Sequence, residues 1–244
     1  MRAYVLGLLV LLCIMATAHA AEKSGELKTD EQKLGYAMGL DLGEYFKGLE
    51  EPFDLDMLHQ GIVDGIKGNK PRLTPEEITA IQQDFDKRQQ ERQIQKTVAM
   101  VQKNRDAAAK FLQENKGKEG VVQTASGLQY KVLKEGKGAQ PKATDTVKVQ
   151  YKGSLLGGTE FDSSYKRNEP AVFQVDQVIA GWQEALLLMK TGGSYELYVP
   201  PDLAYGDRGA PPVIEPGSML IFQVELLEVQ PPEKEGAAAE TGKK

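Results

Sequence analysis

Few side chains of this sequence can do chemistry, and the shortage narrows the field. Its 244 residues include two histidines and one cysteine. Cys13 and His19 sit in an apolar leader, leaving His59 as the one imidazole downstream. A lone histidine builds neither a zinc site nor a Ser-His-Asp relay, and a chain without a thiol forms no disulfide and no thiolate metal site. No metal and no cofactor is therefore expected. What remains is aromatic. Tyr151 and Phe222 fall on the apolar face of alternating segments, and Trp182 stands near the start of a short amphipathic stretch. Such rings either line a pocket or fill a core, and on a buried face they are more often core.

The segments that place these rings alternate with period two. Val147, Val149 and Tyr151 interleave with Lys148, Gln150 and Lys152; Tyr195, Leu197 and Val199 do the same, and Leu220, Phe222, Val224 and Leu226 make a longer set. This is the pattern of an antiparallel sheet with one apolar face. One helix interrupts it over 179–190, with Trp182, Leu186 and Met189 on one side and Thr191-Gly192-Gly193 as its stop. The class is α+β, a sheet covered by a single short helix, preceded by an all-α module.

In that module apolar residues recur at three- and four-residue spacings from 28 to 115. A first helix over 30–46 puts Leu34, Met38, Leu42 and Tyr45 on one face and Gly35, Gly39 and Gly43 in a stripe. Each glycine costs about 1 kcal/mol relative to alanine, a cost usually offset by close approach of another helix. A second helix over 54–67 aligns Leu58, Ile62 and Ile66. Two helices this short bury too little to stand alone, so residues 30–70 are expected to pair with a second copy. A third begins at a capping box, with Thr74 as cap, Pro75 first and Glu77 three residues on, and meets no break before Asn115-Lys116-Gly117. It spans about 60 Å at 1.5 Å per residue. Its middle, DKRQQERQ over 86–93, is polar on every side, which suits an arm between domains.

Arg2, the apolar run to Ala16 and Ala18-His19-Ala20 make residues 1–20 a cleavable export signal, cut after Ala20. The run is shorter than a membrane span, and Leu12 occupies the place where a lipid-attachment signal at Cys13 needs a small residue. The mature chain is expected to be soluble and periplasmic, with no membrane span, and the outer surface is a further possible destination. Residues 1–20 hold one base and no acid, so 29 Lys and Arg against 35 Asp and Glu leave a net charge of −6. That balance, with no basic stripe, excludes phosphate-backbone binding. The expected division is leader 1–20, helical module 21–73, connecting helix 74–117, sheet domain 118–230 and a disordered tail 231–244.

Residues 124–228 closely resemble the FKBP family of prolyl isomerases. The resemblance rests on VQYKG (149–153), FDSS (161–164), VIAGW (178–182), AYG (204–206) and LIFQVEL (220–226), in order and at matching spacing. It implies a half-open sheet around the short helix, with an aromatic pocket for a substrate proline. Carried over position by position, that pocket is Tyr151, Phe161, Asp162, Phe173, Val178, Ile179, Trp182, Tyr205 and Phe222. Trp182 is its floor, and the Ile179 N–H and Tyr205 hydroxyl hold substrate carbonyls. Tyr151, Asp162, Tyr205 and Phe222 are the residues implied in catalysis. For Asp162 the residues alone leave a turn cap at Ser163-Ser164 open as the alternative. Ala171, Ala210 and Leu203 depart from the family's single-domain members, two of them at the pocket rim. Implied partners are proline-containing unfolded polypeptides and macrolide inhibitors such as rapamycin. Residues 30–115 resemble the dimerisation module of the Mip-like and FkpA-like bacterial branch, which implies a homodimeric folding chaperone as well as an isomerase.

Overall fold

The computed structural model describes residues 26–231. The leader, with Cys13 and the Ala20 cleavage point, and the tail beyond Pro231 lie outside the described residues. One compact unit runs through Ala80, and a second begins at Ile81.

The first unit is helical. α1 (Asp30–Leu49) opens at Thr29, whose hydroxyl accepts the Gln32 N–H while the Gln32 side chain takes the Thr29 N–H, a reciprocal cap. α2 (Leu55–Lys67) is capped by Asp54, which accepts from the N–H groups of Asp56 and Met57 at 3.0 Å each. Neither helix buries a single residue. Leu34, Met38 and Tyr45 are all more than half exposed. Apart from the helix's own neighbouring backbone, no described atom lies within 4 Å of the place a side chain would occupy at Gly35, Gly39 or Gly43. These helices owe their start and stop to caps, and among the described residues their apolar faces remain largely exposed.

α3 (Pro75–Asn115) is unbroken over 41 residues. Its expected capping box forms, with Glu77 accepting the Thr74 N–H at 2.8 Å and Thr74 Oγ1 accepting the Glu77 N–H at 3.2 Å.

In the second unit a seven-stranded antiparallel sheet comprises β1 (Val121–Gln123), β2 (Gln129–Lys134), β3 (Thr146–Leu155), β4 (Glu160–Ser163), β5 (Ala171–Gln174), β6 (Ser194–Val199) and β7 (Leu220–Gln230). The order is β1-β2-β6-β7-β3-β4, and β5 also pairs with β3. α4 (Ala180–Leu188) covers the main core face with Trp182, Ala185 and Leu186 buried, and Met189 at its C-cap is fully enclosed. It is two residues shorter than expected at its C-terminal end, because Met189 is already extended.

The opposite face is covered as well, by the C-terminal part of α3. Ala108, Tyr198 and Met219 are buried there, with Phe111, Leu112 and Ile221 packed on them. The Phe111 and Tyr198 rings lie 5.7 Å apart. Asn115 donates to the Gln129 side chain at 3.0 Å, and Gln129 donates back to the Leu112 carbonyl at 2.8 Å. From Val101 onward the connecting helix is part of the sheet domain's packing.

A chain shortened to begin at Gly120 leaves Tyr198 and Met219 without cover. Its thermal unfolding midpoint should fall at least about 5 °C below that of a chain beginning at Thr97, since the lost apolar contact is worth on the order of 2–3 kcal/mol. Equal midpoints would show that the helix adds nothing to this domain.

Candidate functional site

Strand β3 organises the site because it serves three partners. Its first half pairs with β5, setting Val147 opposite Phe173, and its second half pairs on the same edge with β4, setting Gly153 opposite Asp162. Along the other edge runs β7, with Gly153 opposite Phe222. Tyr151, Phe161, Phe173 and Phe222 therefore converge on one spot although they span seventy residues of sequence. Gly153 is required there: a side-chain carbon at that position would lie 2.7 Å from the Phe161 ring and 2.8 Å from the Phe222 ring. Where β4 leaves β3, the fully buried Ser164 accepts the Tyr151 N–H on its hydroxyl at 2.8 Å and gives its own N–H to the Tyr151 carbonyl at 3.0 Å.

Trp182 meets this cluster from α4. Its indole stands at 89° to Tyr151, 86° to Phe173 and 82° to Phe222, with centroids 5.3, 5.8 and 5.3 Å away. Phe161 and Phe222 cross at 89°. Edge-to-face contacts of this kind each add about 0.5–1.5 kcal/mol beyond area burial, so the rings hold one another rigid. They enclose a cavity of about 450 Å³. Every residue expected at the pocket lines it: Tyr151, Phe161, Asp162, Phe173, Val178, Ile179, Trp182, Tyr205 and Phe222. Gln177 joins them and was not expected. Ala171 and Ala210 do not line the cavity; their short side chains rest against the main core. Both readings of the aromatics hold at once, because Tyr151, Trp182 and Phe222 are core residues whose remaining exposed surface is cavity wall.

The polar edge is a three-residue cluster. Tyr151 donates its hydroxyl proton to Asp162, Arg167 donates to Asp162, and Arg167 also donates to the Tyr151 oxygen at 3.0 Å. Asp162 accepts the Ser163 N–H at 2.8 Å too, so it caps its turn while facing the cavity. Burial pushes the Asp162 carboxyl up, but the bonds from Tyr151 and Arg167 and the guanidinium charge outweigh it and hold the group below the usual carboxylate value. Burial, and then the bond to Asp162, push the Tyr151 hydroxyl up, so it stays a proton donor. Arg167 was missed in the sequence because it sits in a charged turn with no periodicity. The turn is stapled to β4 twice, through Arg167 and through Lys166, whose Nζ lies 2.9 Å from Glu160.

At the other wall, Gln183 donates to the carbonyls of Val178 and Asp176 at 2.8 and 3.2 Å, fixing the approach to α4. Ile179 is the N-cap of that helix, and no side chain caps it. The Trp182 and Gln183 N–H groups both bond the Ile179 carbonyl, at 2.9 and 3.1 Å, so the N–H groups without an acceptor within the helix are those that precede Trp182. Tyr205 stands between two short 3-10 turns and is 43% exposed. The arrangement holds no nucleophile. It offers an apolar box, one ionised carboxylate and a few N–H and O–H donors.

Comparison with known proteins agrees with this geometry. Residues 137–227 match the family model for the FKBP-type peptidyl-prolyl cis-trans isomerase, and residues 31–132 match that for the domain amino terminal to it. The chain is 43% identical over 219 residues to a peptidyl-prolyl cis-trans isomerase Mip of Coxiella burnetii, covering 90% of this chain and 94% of that protein. It is 42% identical over 216 residues to an outer membrane protein MIP of Legionella longbeachae, covering 88% and 93%. The crystal structure of FkpA from Escherichia coli superposes with a TM-score of 0.71 at 39% identity, covering 84% of this chain and 99% of that one.

Because the folded-state pKa of Asp162 is depressed, its ionised form contributes stability above the unfolded-state value, and that contribution is lost as pH falls through the folded one. Asp162→Asn should therefore unfold at lower temperature than the wild type at pH 7, with the gap closing as pH drops below about 4. A gap that is the same at pH 7 and pH 3 would show that the charge is not what matters.

Proposed function

The chain belongs to the FKBP-type peptidyl-prolyl cis-trans isomerases, and from that premise we propose how its cavity accelerates rotation about X-Pro bonds in exported polypeptides. The chain is an isomerase that acts on proline-containing substrates. Rotation about the peptide bond faces a barrier of about 18–20 kcal/mol, and X-Pro bonds isomerise unaided in tens to hundreds of seconds. The planar amide is the more polar form, with charge separated between oxygen and nitrogen. A box walled by Tyr151, Phe161, Phe173, Trp182 and Phe222 strips water from the proline and disfavours that form relative to the twisted one. The Ile179 N–H and the Tyr205 hydroxyl hold the flanking carbonyls, so that twisting is confined to the one bond. Asp162, kept ionised beside Tyr151 and Arg167, keeps the mouth of the box rigid and faces the amide carbonyl as it leaves the plane. A thousandfold acceleration corresponds to about 4 kcal/mol, within reach of desolvation and a few oriented hydrogen bonds. The observation that carries this reading is the perpendicular packing of Trp182 against Tyr151, Phe173 and Phe222 at the base of the cavity. Macrolide inhibitors of the family would occupy the same box.

The helical unit is proposed as the dimer interface, through residues 30–70, because α1 and α2 carry apolar faces and bury nothing. Exposed Ile94 and Val98 on α3 favour chaperone action on unfolded chains as a companion activity. Residues 1–20 would direct export to the periplasm, and a cell-surface location would parallel the outer membrane relative.

Against a short X-Pro peptide the wild type should exceed the uncatalysed rate by at least about a thousandfold, and Asp162→Ala should lose ten- to a hundredfold of that. A wild type no faster than buffer would remove the assignment, whereas chaperone action should survive Asp162→Ala. Replacing Leu42 and Ile62 together by Glu should convert a dimer to a monomer by sedimentation. An unchanged mass would place the interface elsewhere.

A further inference from the structure

Tyr205 is the one polar substrate contact whose ring is not held by burial, since it is 43% exposed on a segment between two 3-10 turns. Something else must fix its direction. Asp202, three residues before it, and Asp207, two after it, both reach one side chain on α3. Arg105 presents Nη1 and Nη2 to the two oxygens of Asp202 at 3.1 and 2.6 Å, and Nε to Asp207 at 2.6 Å. The planar fork thus bridges the two ends of the segment that has Tyr205 at its middle. The neighbouring Asn104 donates to Glu215 at 3.1 Å and to the Pro216 carbonyl at 2.9 Å, where the same loop returns to the sheet. At Gly217, with φ of +75°, a side-chain carbon would lie 2.8 Å from the Val101 carbonyl oxygen, so helix and loop are in backbone contact. Gly217 in turn donates its N–H to the Gly206 carbonyl at 2.9 Å.

We propose that Arg105 is a positioning residue for the isomerase reaction: by clamping Asp202 and Asp207 it aims the Tyr205 hydroxyl at the cavity mouth, and so makes the long helix part of the site. The inference rests on the reading of Tyr205 as a substrate-binding residue. Arg105 touches neither the cavity nor a substrate, and it acts through the turn. Its carboxylate partners are 71% and 60% exposed, so the ion pairs add little to global stability. What a guanidinium supplies here is direction, because its donors are coplanar and fixed at the spacing of a carboxylate. Without it, two carboxylates of like charge flank Tyr205 and lose the group that joins them. A misplacement on the order of 1 Å in a substrate-positioning group can cost up to about a hundredfold in rate.

The test is a double-mutant cycle in the full-length protein, measuring kcat and KM on an X-Pro peptide together with the unfolding midpoint. Arg105→Ala should lower kcat/KM about tenfold with a small change in midpoint, and Arg105→Lys, which keeps the charge without the fork, should fall between. The loss should vanish to within about twofold when Tyr205 is already Phe, because the group being aimed is gone. Losses that multiply independently, or no loss in Arg105→Ala, would overturn the inference while leaving the isomerase assignment standing. A wild type without activity would remove that assignment and this inference with it. Should Arg105→Ala fail to fold, Asp207→Asn with and without Tyr205→Phe decides by the same criterion.

Discussion

Trp182 meets three rings at nearly right angles, and the isomerase domain depends on that contact more than on any other. The indole closes the core between α4 and the sheet, and its neighbours form the walls of the cavity. A cavity of this size normally invites collapse, since surrounding side chains relax toward any space left empty. Perpendicular rings resist that, because each is held by the edges of the others and can swing only if all of them do. The pocket thus stays open for the same reason that the core stays closed.

Polar groups are placed around this box sparingly. Tyr151, Asp162 and Arg167 satisfy one another, so a carboxylate can sit beside apolar walls without a large desolvation penalty. The backbone at the start of α4 is left uncapped. An enzyme that breaks no bond needs no more than this: a dry site, a few donors in fixed directions and enough rigidity to hold a twisted substrate. The cavity lining holds no serine, cysteine, histidine or lysine, and its one carboxylate is engaged by Tyr151 and Arg167.

The two units stand in different physical situations. The sheet domain has a core on one face and a smaller cluster under α3 on the other. α1 and α2 have capped ends and amphipathic faces but no interior. Caps determine where such helices begin and end, while the apolar burial that decides whether they persist is not found within them among the described residues. α3 belongs to both situations, since it begins in the helical unit and ends as a structural element of the sheet domain.

Local rules were enough for much of this. Thr74 and Glu77 mark the start of α3 and the alternation in 147–151 and 220–226 marks the strands, whereas the glycines at 192 and 193 lie past the end of α4, which already stops at Leu188. The named pocket residues were legible only because several short motifs recur together in one family; taken alone, Tyr151 and Phe222 read as ordinary core. Tertiary structure decided the rest. Arg167 and Gln177 enter the site from turns whose sequence carries no periodic signal, and Arg105 meets Asp202 and Asp207 across about a hundred residues. Tyr198 falls between the apolar residues Leu197 and Val199 of its strand, on the other face, and it is buried because α3 covers that face. Periodicity and caps are properties of neighbours in the chain, so a sequence determines them directly. Which helix covers which face, and which charge meets which, depends on contacts between distant segments that exist only once the chain has folded.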